Sequence, residues 1–211
     1  MTNSGKFIVV EGLEGAGKST VIAAIQRELE EQGHKLKLTR EPGGTPMAEA
    51  IRECVKHNWE NEFVTEQTEL LLMYAARSQL VENTIKPALA EGTWVLGDRH
   101  DWSSLAYQGG GRQVNRDHLN AIRELTLNGF SPDLTIYLDI DPKVGLVRAA
   151  SRGELDRIEQ SGLAFFERAR ETYLSLVKRT DSAVLIHAEQ SIDKVREDVL
   201  IALRKFLGVT Q

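Results

Sequence analysis

Cysteine is nearly absent from this 211-residue chain: Cys54 is the only one, so no disulfide can form within the chain. A lone cysteine fits a cytoplasmic location, which we expect. An excess of positive charge is also missing, since 26 basic and 31 acidic residues give a formal charge of −5. Without a net positive field to hold a nucleic-acid backbone, we expect no nucleic-acid partner.

Long hydrophobic runs are missing as well. The first residues lead into a strand pattern and contain no apolar stretch long enough for a signal peptide or a membrane span, so we expect no membrane partner. The chain has no repeat, low-complexity tract or linker. We therefore predict one globular domain over residues 1–211, large enough for a substantial core.

Short apolar runs alternate with longer helical patterns along the whole chain. Strands are predicted at 7–10, 35–39, 94–98, 134–138 and 183–186. Helices are predicted at 21–31, 47–57, 66–90 (disturbed at Pro87), 116–128 and from about 142, with a flexible break at 109–111. A last helix is predicted to bury Val195, Val199, Leu203 and Phe206. This alternation indicates an α/β fold with a five-stranded parallel sheet and helices on both faces. In such sheets ligands bind beyond the carboxyl ends of the strands.

A phosphate-binding pattern, G-x-x-x-x-G-K-[ST], follows the first predicted strand directly. Its glycines let successive backbone N–H groups face one anion, and the following helix adds its positive N-terminal end. Lys18 can reach the β- and γ-phosphates, and the Ser19 hydroxyl can ligate Mg²⁺. The pattern predicts a P-loop NTPase fold, without choosing between GTPase, ATPase and kinase. The predicted ATP-binding residues here are Gly12, Leu13, Glu14, Gly15, Ala16, Gly17, Lys18, Ser19 and Thr20.

Two predicted strands end in an aspartate that could hold Mg²⁺, directly or through water: Asp98 and Asp139. The third strand commonly lies beside the phosphate-loop strand in such sheets, so Asp98 is the preferred metal carboxylate. For Asp139 we prefer a role as the cap of the helix that begins near Pro142. Arg99 follows Asp98 and is a candidate for neutralising phosphate charge during transfer.

Six segments give a more specific indication: EGLEGAGKS at 11–19, TREPGGT at 39–45, YAAR at 74–77, DRH at 98–100, AYQGGG at 106–111 and RGELDRIE at 152–159. In this order they resemble the motifs of bacterial thymidylate kinases, and they cover about residues 6–160. The resemblance implies ATP as phosphoryl donor, Mg²⁺ as cofactor, dTMP as acceptor and dTDP as product, for dTTP synthesis. It also implies a homodimer.

The same resemblance assigns roles to residues that match the family's motifs. Arg40 and Arg99 correspond to residues that clamp the acceptor phosphate, which suits their bidentate donors. Arg77 corresponds to the residue that hydrogen-bonds the thymine ring. The remaining residues implied at dTMP are Glu14 at the sugar, Ser104 and Gln108 at the base, and Tyr107 against the deoxyribose.

Two positions depart from the family's pattern. Met73 stands where the family usually has a phenylalanine stacked on thymine, and a thioether covers a ring face with less specific geometry. His187 stands where similar proteins often have an aspartate near the adenine. The first departure affects how tightly the base is selected, and the second affects the contacts with adenine.

A run of arginines and acidic residues at about 148–160 is predicted to be a mobile lid. A mixed-charge run is often only a solvated helix face. However, the phosphate loop has no arginine, so charge that develops during transfer must be met from elsewhere. In bacterial thymidylate kinases of this type the lid supplies it. Arg152 is the preferred catalytic candidate. Arg157 is the second candidate from the lid, and we expect it to bind ATP.

Two other functions remain open from the sequence. A deoxynucleoside kinase shares a phosphate loop and an arginine-bearing lid, but two arginines at the acceptor favour a substrate that already carries phosphate. A GTPase-type nucleotide switch would need an Asn-Lys-x-Asp segment, and none occurs.

Overall fold

A computed structural model describes residues 4–151 and 155–209. Its centre is a parallel sheet in the order β2-β3-β1-β4-β5. The strands are β1 (Phe7–Gly12), β2 (Leu36–Arg40), β3 (Trp94–Asp98), β4 (Leu134–Asp139) and β5 (Ala183–His187). β1 is buried along its whole length, as its continuous apolar run predicts. The predicted parallel sheet is confirmed, and β3 lies directly beside β1.

Helices cover both faces of this sheet. They are α1 (Lys18–Glu31), α2 (Pro46–Lys56), α3 (Glu66–Leu80), α4 (Lys86–Ala90), α5 (Asp101–Ser104), α6 (Arg116–Leu127), α7 (Pro142–Ala150), α8 (Leu163–Val177) and α9 (Ile192–Leu207). The alternation of side chains along β1 divides the core: Ile8 and Val10 join the larger apolar cluster, whereas Phe7 and Val9 join a smaller one on the other face. None of the helices in the described part of the chain is both long and apolar enough to cross a bilayer.

The predicted helix at 66–90 is interrupted earlier than expected. A π-helical turn, Val81–Ile85, separates α3 from α4, and Pro87 lies in the first turn of α4. Proline lacks an N–H group and its ring crowds the carbonyl four residues before it. The disturbance therefore falls on the turn that precedes Pro87.

The three consecutive glycines at 109–111 were predicted to form a flexible break, and this prediction is wrong. They end a π-helical segment, Leu105–Gly111, that packs against α8. A Cβ atom on Gly110 would lie 2.2 Å from Thr172 Oγ1, and one on Gly111 would lie 2.3 Å from a ring carbon of Phe165. The glycines thus allow close packing. α8 has no counterpart among the predicted helices, although its buried residues Phe165, Ala169 and Tyr173 have helical spacing.

Candidate active site

A cavity of about 250 Å³ lies beyond the carboxyl ends of β1, β2 and β3. This is the edge of the sheet where the sequence predicts a ligand. The cavity brings together residues from well-separated segments. Those predicted for ATP, metal, catalysis or dTMP that line it are Glu14, Gly15, Gly17, Lys18, Ser19, Arg40, Met73, Arg77, Asp98, Arg99, Ser104, Tyr107 and Gln108.

The phosphate loop runs from the end of β1 to the start of α1. Gly12, Gly15 and Gly17 all have positive φ angles, at 152°, 74° and 89°. A Cβ atom on Gly15 would also lie 2.3 Å from the carbonyl oxygen of Gly145, so this position requires glycine for space as well as for conformation. The positive φ angles curl the loop just before the N-terminus of α1, as a backbone that turns successive N–H groups towards one anion requires.

Lys18 lies at the first position of α1 and folds back over the loop. Its Nζ donates hydrogen bonds to the carbonyl oxygens of Gly12 at 2.9 Å and Leu13 at 3.1 Å. Burial and the neighbouring Arg99 lower the pKa of Lys18 to about 8. A phosphate anion in the loop would favour the charged form of this lysine.

Asp98 ends β3 and lines the same cavity as Ser19. Its Oδ1 atom is buried and has no hydrogen-bond partner within 4–151 and 155–209. An unpartnered buried carboxylate oxygen beside a phosphate loop fits a cation held directly or through water. The described residues contain no group of three or more His, Cys, Asp or Glu side chains that could hold a metal. This donor set suits Mg²⁺, which protein sites bind through one or two carboxylates together with substrate phosphates.

Asp139 has a different role from the helix cap predicted for it. Both of its oxygens accept hydrogen bonds from Arg170 on α8, at 2.8 Å each, and Tyr137 donates a third at 3.1 Å. The cap of α7 is Asp141, whose Oδ1 accepts from the backbone N–H of Lys143. The prediction of a cap at Asp139 is wrong because its ion-pair partner lies on the helix that the sequence analysis did not identify.

Arg99 lies inside the cavity between the phosphate loop and the aromatic ring of Tyr107. Its Nη2 donates to Glu14 Oε1 at 2.6 Å, and its guanidinium carbon lies 5.1 Å from the centre of the Tyr107 ring. The Tyr107 hydroxyl donates to the other oxygen of Glu14, also at 2.6 Å. Burial alone would raise the pKa of Glu14, but the charges of Arg99 and Lys18 hold it below its usual range. Glu14 therefore balances Arg99 as a carboxylate.

Glu11, which the sequence analysis did not single out, supports the turn that carries Arg99. This turn is unusual because Arg99 has a φ angle of 71°, in the left-handed region. Glu11 Oε1 accepts from the backbone N–H groups of His100 at 2.8 Å and Ser103 at 3.2 Å, and Oε2 accepts from the Ser103 hydroxyl. Burial raises the pKa of Glu11 despite these bonds. The available signal was a carboxylate at the end of an otherwise apolar buried strand.

Arg77 on α3 is 2% exposed and makes three different hydrogen bonds. It donates to Glu41 Oε2 at 2.7 Å, to the Ser104 hydroxyl at 3.0 Å and to the carbonyl oxygen of His100 at 2.9 Å. Burial alone would raise the pKa of Glu41, but Arg77 and His100 lower it, so the two side chains form an ion pair. Met73 lies one helical turn earlier and lines the same end of the cavity.

Arg40 lies at the rim of the cavity with its side chain 57% exposed. Its Nε and Nη2 atoms donate to the two oxygens of Glu49 at 3.2 and 2.8 Å. Glu49 also accepts from the backbone N–H of Gly44. The predicted role of Arg40 at an acceptor phosphate would require it to exchange this exposed ion pair, which is a weak interaction.

The predicted lid lies partly outside the described residues, and Arg152 is among those not described. Arg157 does not line the cavity. It forms a salt bridge with Glu69, with 2.7 Å between Nη1 and Oε2, and its Nε donates to the carbonyl oxygen of Val55 at 2.9 Å. Two acidic side chains of the segment, Asp156 and Glu159, do line the cavity. The catalytic role of Arg152 and the ATP contact of Arg157 stay predictions, as do adenine contacts near the exposed His187.

Comparisons with known proteins show the family of the chain. The family model described as thymidylate kinase matches residues 10–199. The chain is 61% identical to a thymidylate kinase of Alteromonas mediterranea over 204 residues, which are 97% of this chain and 91% of the relative. It is 58% identical to the thymidylate kinases of Haemophilus ducreyi and Vibrio campbellii, over 98% and 96% of this chain and 97% of each relative. The chain therefore belongs to the thymidylate kinase family.

Proposed function

We propose that this protein transfers the γ-phosphoryl group of ATP to dTMP, giving dTDP and ADP. The observation that carries the proposal is the cavity itself, which joins a phosphate loop and Arg99 to a buried polar end formed by Arg77, Ser104 and Gln108. A donor phosphate and a base can thus be held in one space. The thymidylate kinase names of the relatives support dTMP as the acceptor.

In the proposed reaction the transfer is direct, without a covalent enzyme intermediate. A monophosphate oxygen is already anionic near neutral pH, so the step needs no strong general base. Lys18, Arg99 and the lid Arg152 neutralise charge as it develops, and the protein otherwise contributes positioning. Ser19 and Asp98 would hold Mg²⁺, which supplies further neutralisation of the phosphates. Arg40 and Arg99 bind the acceptor phosphate, and Tyr107 packs against the sugar.

A coupled assay of ADP release tests the proposed acceptor. The purified protein is given ATP and Mg²⁺ with dTMP, dUMP, dGMP or dAMP separately. The proposal expects the highest kcat/KM with dTMP. Equal or faster turnover of a purine monophosphate would contradict it, because the buried end of the cavity is assigned to thymine.

Variants of Met73 test whether its side chain contacts the thymine base. A sulfur–aromatic contact is worth about 0.3–1.5 kcal/mol, and an aromatic pair about 0.5–1.5 kcal/mol beyond burial. Because these ranges overlap, Met73→Phe is expected to tighten dTMP binding by a few-fold at most, as measured by titration calorimetry. Met73→Ala serves as the matched variant and should weaken binding. Unchanged binding in both variants would mean that this side chain does not contact the base.

A variant of Arg152 tests the proposed catalytic role of the lid. Because a lid arginine meets charge that develops only during transfer, Arg152→Ala is expected to lower kcat more than it raises KM for dTMP. Steady-state kinetics with dTMP varied at saturating ATP gives both constants. Arg148→Ala, in the same segment, is the comparison variant: Arg148 donates to the carbonyl oxygens of Ala188 and Gly15. A rise in KM alone would make Arg152 a ground-state binding residue.

We further propose a single domain over residues 1–211 with a lid at about 148–160, a cytoplasmic location and a homodimer. The dimer is supported by the family resemblance and by Met47 and Leu71, whose large apolar side chains are exposed on the neighbouring helices α2 and α3. Light scattering of the purified protein would measure its mass. A monomer at micromolar concentration would contradict the proposed homodimer.

A further inference from the structure

Glu69, on α3, is a buried carboxylate that contacts N–H groups of three other side chains. It is 1% exposed. Oε1 accepts from Gln108 Nε2 at 2.8 Å and Arg112 Nε at 3.2 Å. Oε2 accepts from Arg112 Nη2 at 3.1 Å, and Arg157 Nη1 lies 2.7 Å from Oε2 in a salt bridge. Burial alone would raise the pKa of Glu69, but Arg112, Gln108 and Arg157 hold it below its usual range. Glu69 is therefore an ionised group that can only accept hydrogen bonds.

This contact determines which way the amide of Gln108 points. The nitrogen and oxygen of a glutamine amide are told apart by their partners, and a carboxylate admits only the nitrogen. The amide nitrogen of Gln108 must therefore face Glu69, which turns its oxygen the other way. Gln108 lines the cavity, and its Oε1 atom makes no hydrogen bond with any residue of the described ranges. An acceptor is thus presented at the base end of the cavity.

We propose that Glu69 is a positioning residue for base selection, which fixes Gln108 with its oxygen towards the base. This inference rests on the proposed function and adds a specificity determinant to it. The N3 atom of thymine carries a hydrogen and can donate to Gln108 Oε1, whereas N3 of cytosine is an acceptor and would leave two acceptors facing each other. Two buried acceptors that face each other both lose a hydrogen bond, and such unpaired polar groups account for most of the discrimination against a wrong base. Uracil has the same N3–H group as thymine, so this device does not distinguish dTMP from dUMP.

Glu69→Gln is expected to release the orientation of Gln108 with little change in volume. A glutamine at this position has one oxygen and one nitrogen. The oxygen is expected at the Oε2 position, which has the shorter arginine contacts: 2.7 Å to Arg157 Nη1 and 3.1 Å to Arg112 Nη2. The new nitrogen then lies opposite Gln108, and the 3.2 Å bond from Arg112 Nε to that position is lost. Gln108 then turns its own oxygen towards position 69 and its nitrogen towards the base, where it accommodates the N3 acceptor of cytosine. Arg77 presents only donors and continues to oppose the amino group of cytosine, so selection is reduced and not abolished.

The test is to measure kcat/KM for dTMP, dUMP and dCMP in the wild type and in Glu69→Gln. The ratio of dTMP to dCMP is expected to fall about tenfold in the variant, the usual scale of one misdirected hydrogen bond. The ratio of dTMP to dUMP is expected to stay unchanged, because the two bases are alike at N3. Arg112→Lys is the matched control: it weakens another contact of Glu69, keeps the charge, and should leave both ratios as in the wild type.

Each outcome separates this inference from the proposed function. If the wild type does not phosphorylate dTMP, the proposed function fails. If the wild type does phosphorylate dTMP and Glu69→Gln lowers kcat/KM equally for all three substrates, Glu69 is only structural and the inference is wrong. A loss of selection in Arg112→Lys as large as in Glu69→Gln would also overturn it. Should Glu69→Gln not fold, Glu69→Asp draws the carboxylate away from Gln108 and is expected to lower the dTMP to dCMP ratio in the same direction.

Discussion

Lys18→Ala is expected to lower kcat for dTMP phosphorylation by roughly a hundredfold, since loss of one charge contact in the transition state costs on the order of 3 kcal/mol. Lys18 lies at the start of α1 in the phosphate loop. Within residues 4–151 and 155–209, its Nζ donates hydrogen bonds only to the backbone carbonyls of Gly12 and Leu13. The fold should therefore remain intact. Steady-state kinetics gives the change in kcat, and thermal unfolding followed by circular dichroism checks the fold.

Arg99→Ala is expected to have a similar effect on kcat, because Arg99 lies between the phosphate loop and the assigned acceptor. Its removal also deprives Glu14 of an ion-pair partner, so some loss of thermal stability should accompany it.

Lys18→Met, which keeps the length of the side chain without the charge, separates packing from charge at the loop. Near-normal turnover in a folded Lys18 or Arg99 variant would remove that residue from the mechanism.

Arg77→Ala is expected to destabilise the protein by about 3–5 kcal/mol, in addition to weakening dTMP binding. Arg77 and Glu41 are both buried and share a 2.7 Å ion pair. Truncating Arg77 leaves the carboxylate of Glu41 buried beside His100 as its remaining partner. Urea unfolding of both proteins at neutral pH measures the difference in the free energy of unfolding.

The pH dependence of this difference gives a further check. The pKa of Glu41 is lowered in the folded protein, so the stability that the ion pair contributes is present above the ordinary carboxyl range and is lost as pH falls through the folded pKa. The destabilisation by Arg77→Ala should thus decrease at acidic pH. The double variant Arg77→Met with Glu41→Gln, which removes both charges, should be more stable than Arg77→Ala. A destabilisation below about 1 kcal/mol, the scale of an exposed pair, would contradict the buried pairing.

Local patterns were enough to predict the parallel sheet and the carboxyl edge at which the cavity lies. The apolar run of β1, the phosphate loop after it and the end of β3 at Asp98 are all continuous in sequence. Neighbouring residues determine such features, and the general rules for parallel sheets then bring the segments together. The prediction that Asp98 lies beside the phosphate loop follows from strand order alone, and β3 pairs with β1 as expected.

Buried carboxylates could not be predicted in the same way. Glu41 lies between Arg40 and a Pro-Gly-Gly turn, and Glu69 lies between Thr68 and Leu70 in the first turn of a helix. An acidic residue in either setting is usually exposed. Their burial depends on arginines that are 36 and 43 residues away along the chain. The assignment of Asp139 as a helix cap failed for the same reason, since Arg170 is 31 residues distant. Periodicity carries no information on such pairs.

The measurement that tests the central claim most directly compares dTMP with thymidine as acceptor, with ATP and Mg²⁺ present and ADP release as the signal. We expect rapid ADP release with dTMP and little above the background of ATP hydrolysis with thymidine. The reason is that Arg99 and Arg40 at the cavity are assigned to an acceptor that already carries a phosphate. Comparable kcat/KM values for the two acceptors would contradict the account and favour a deoxynucleoside kinase.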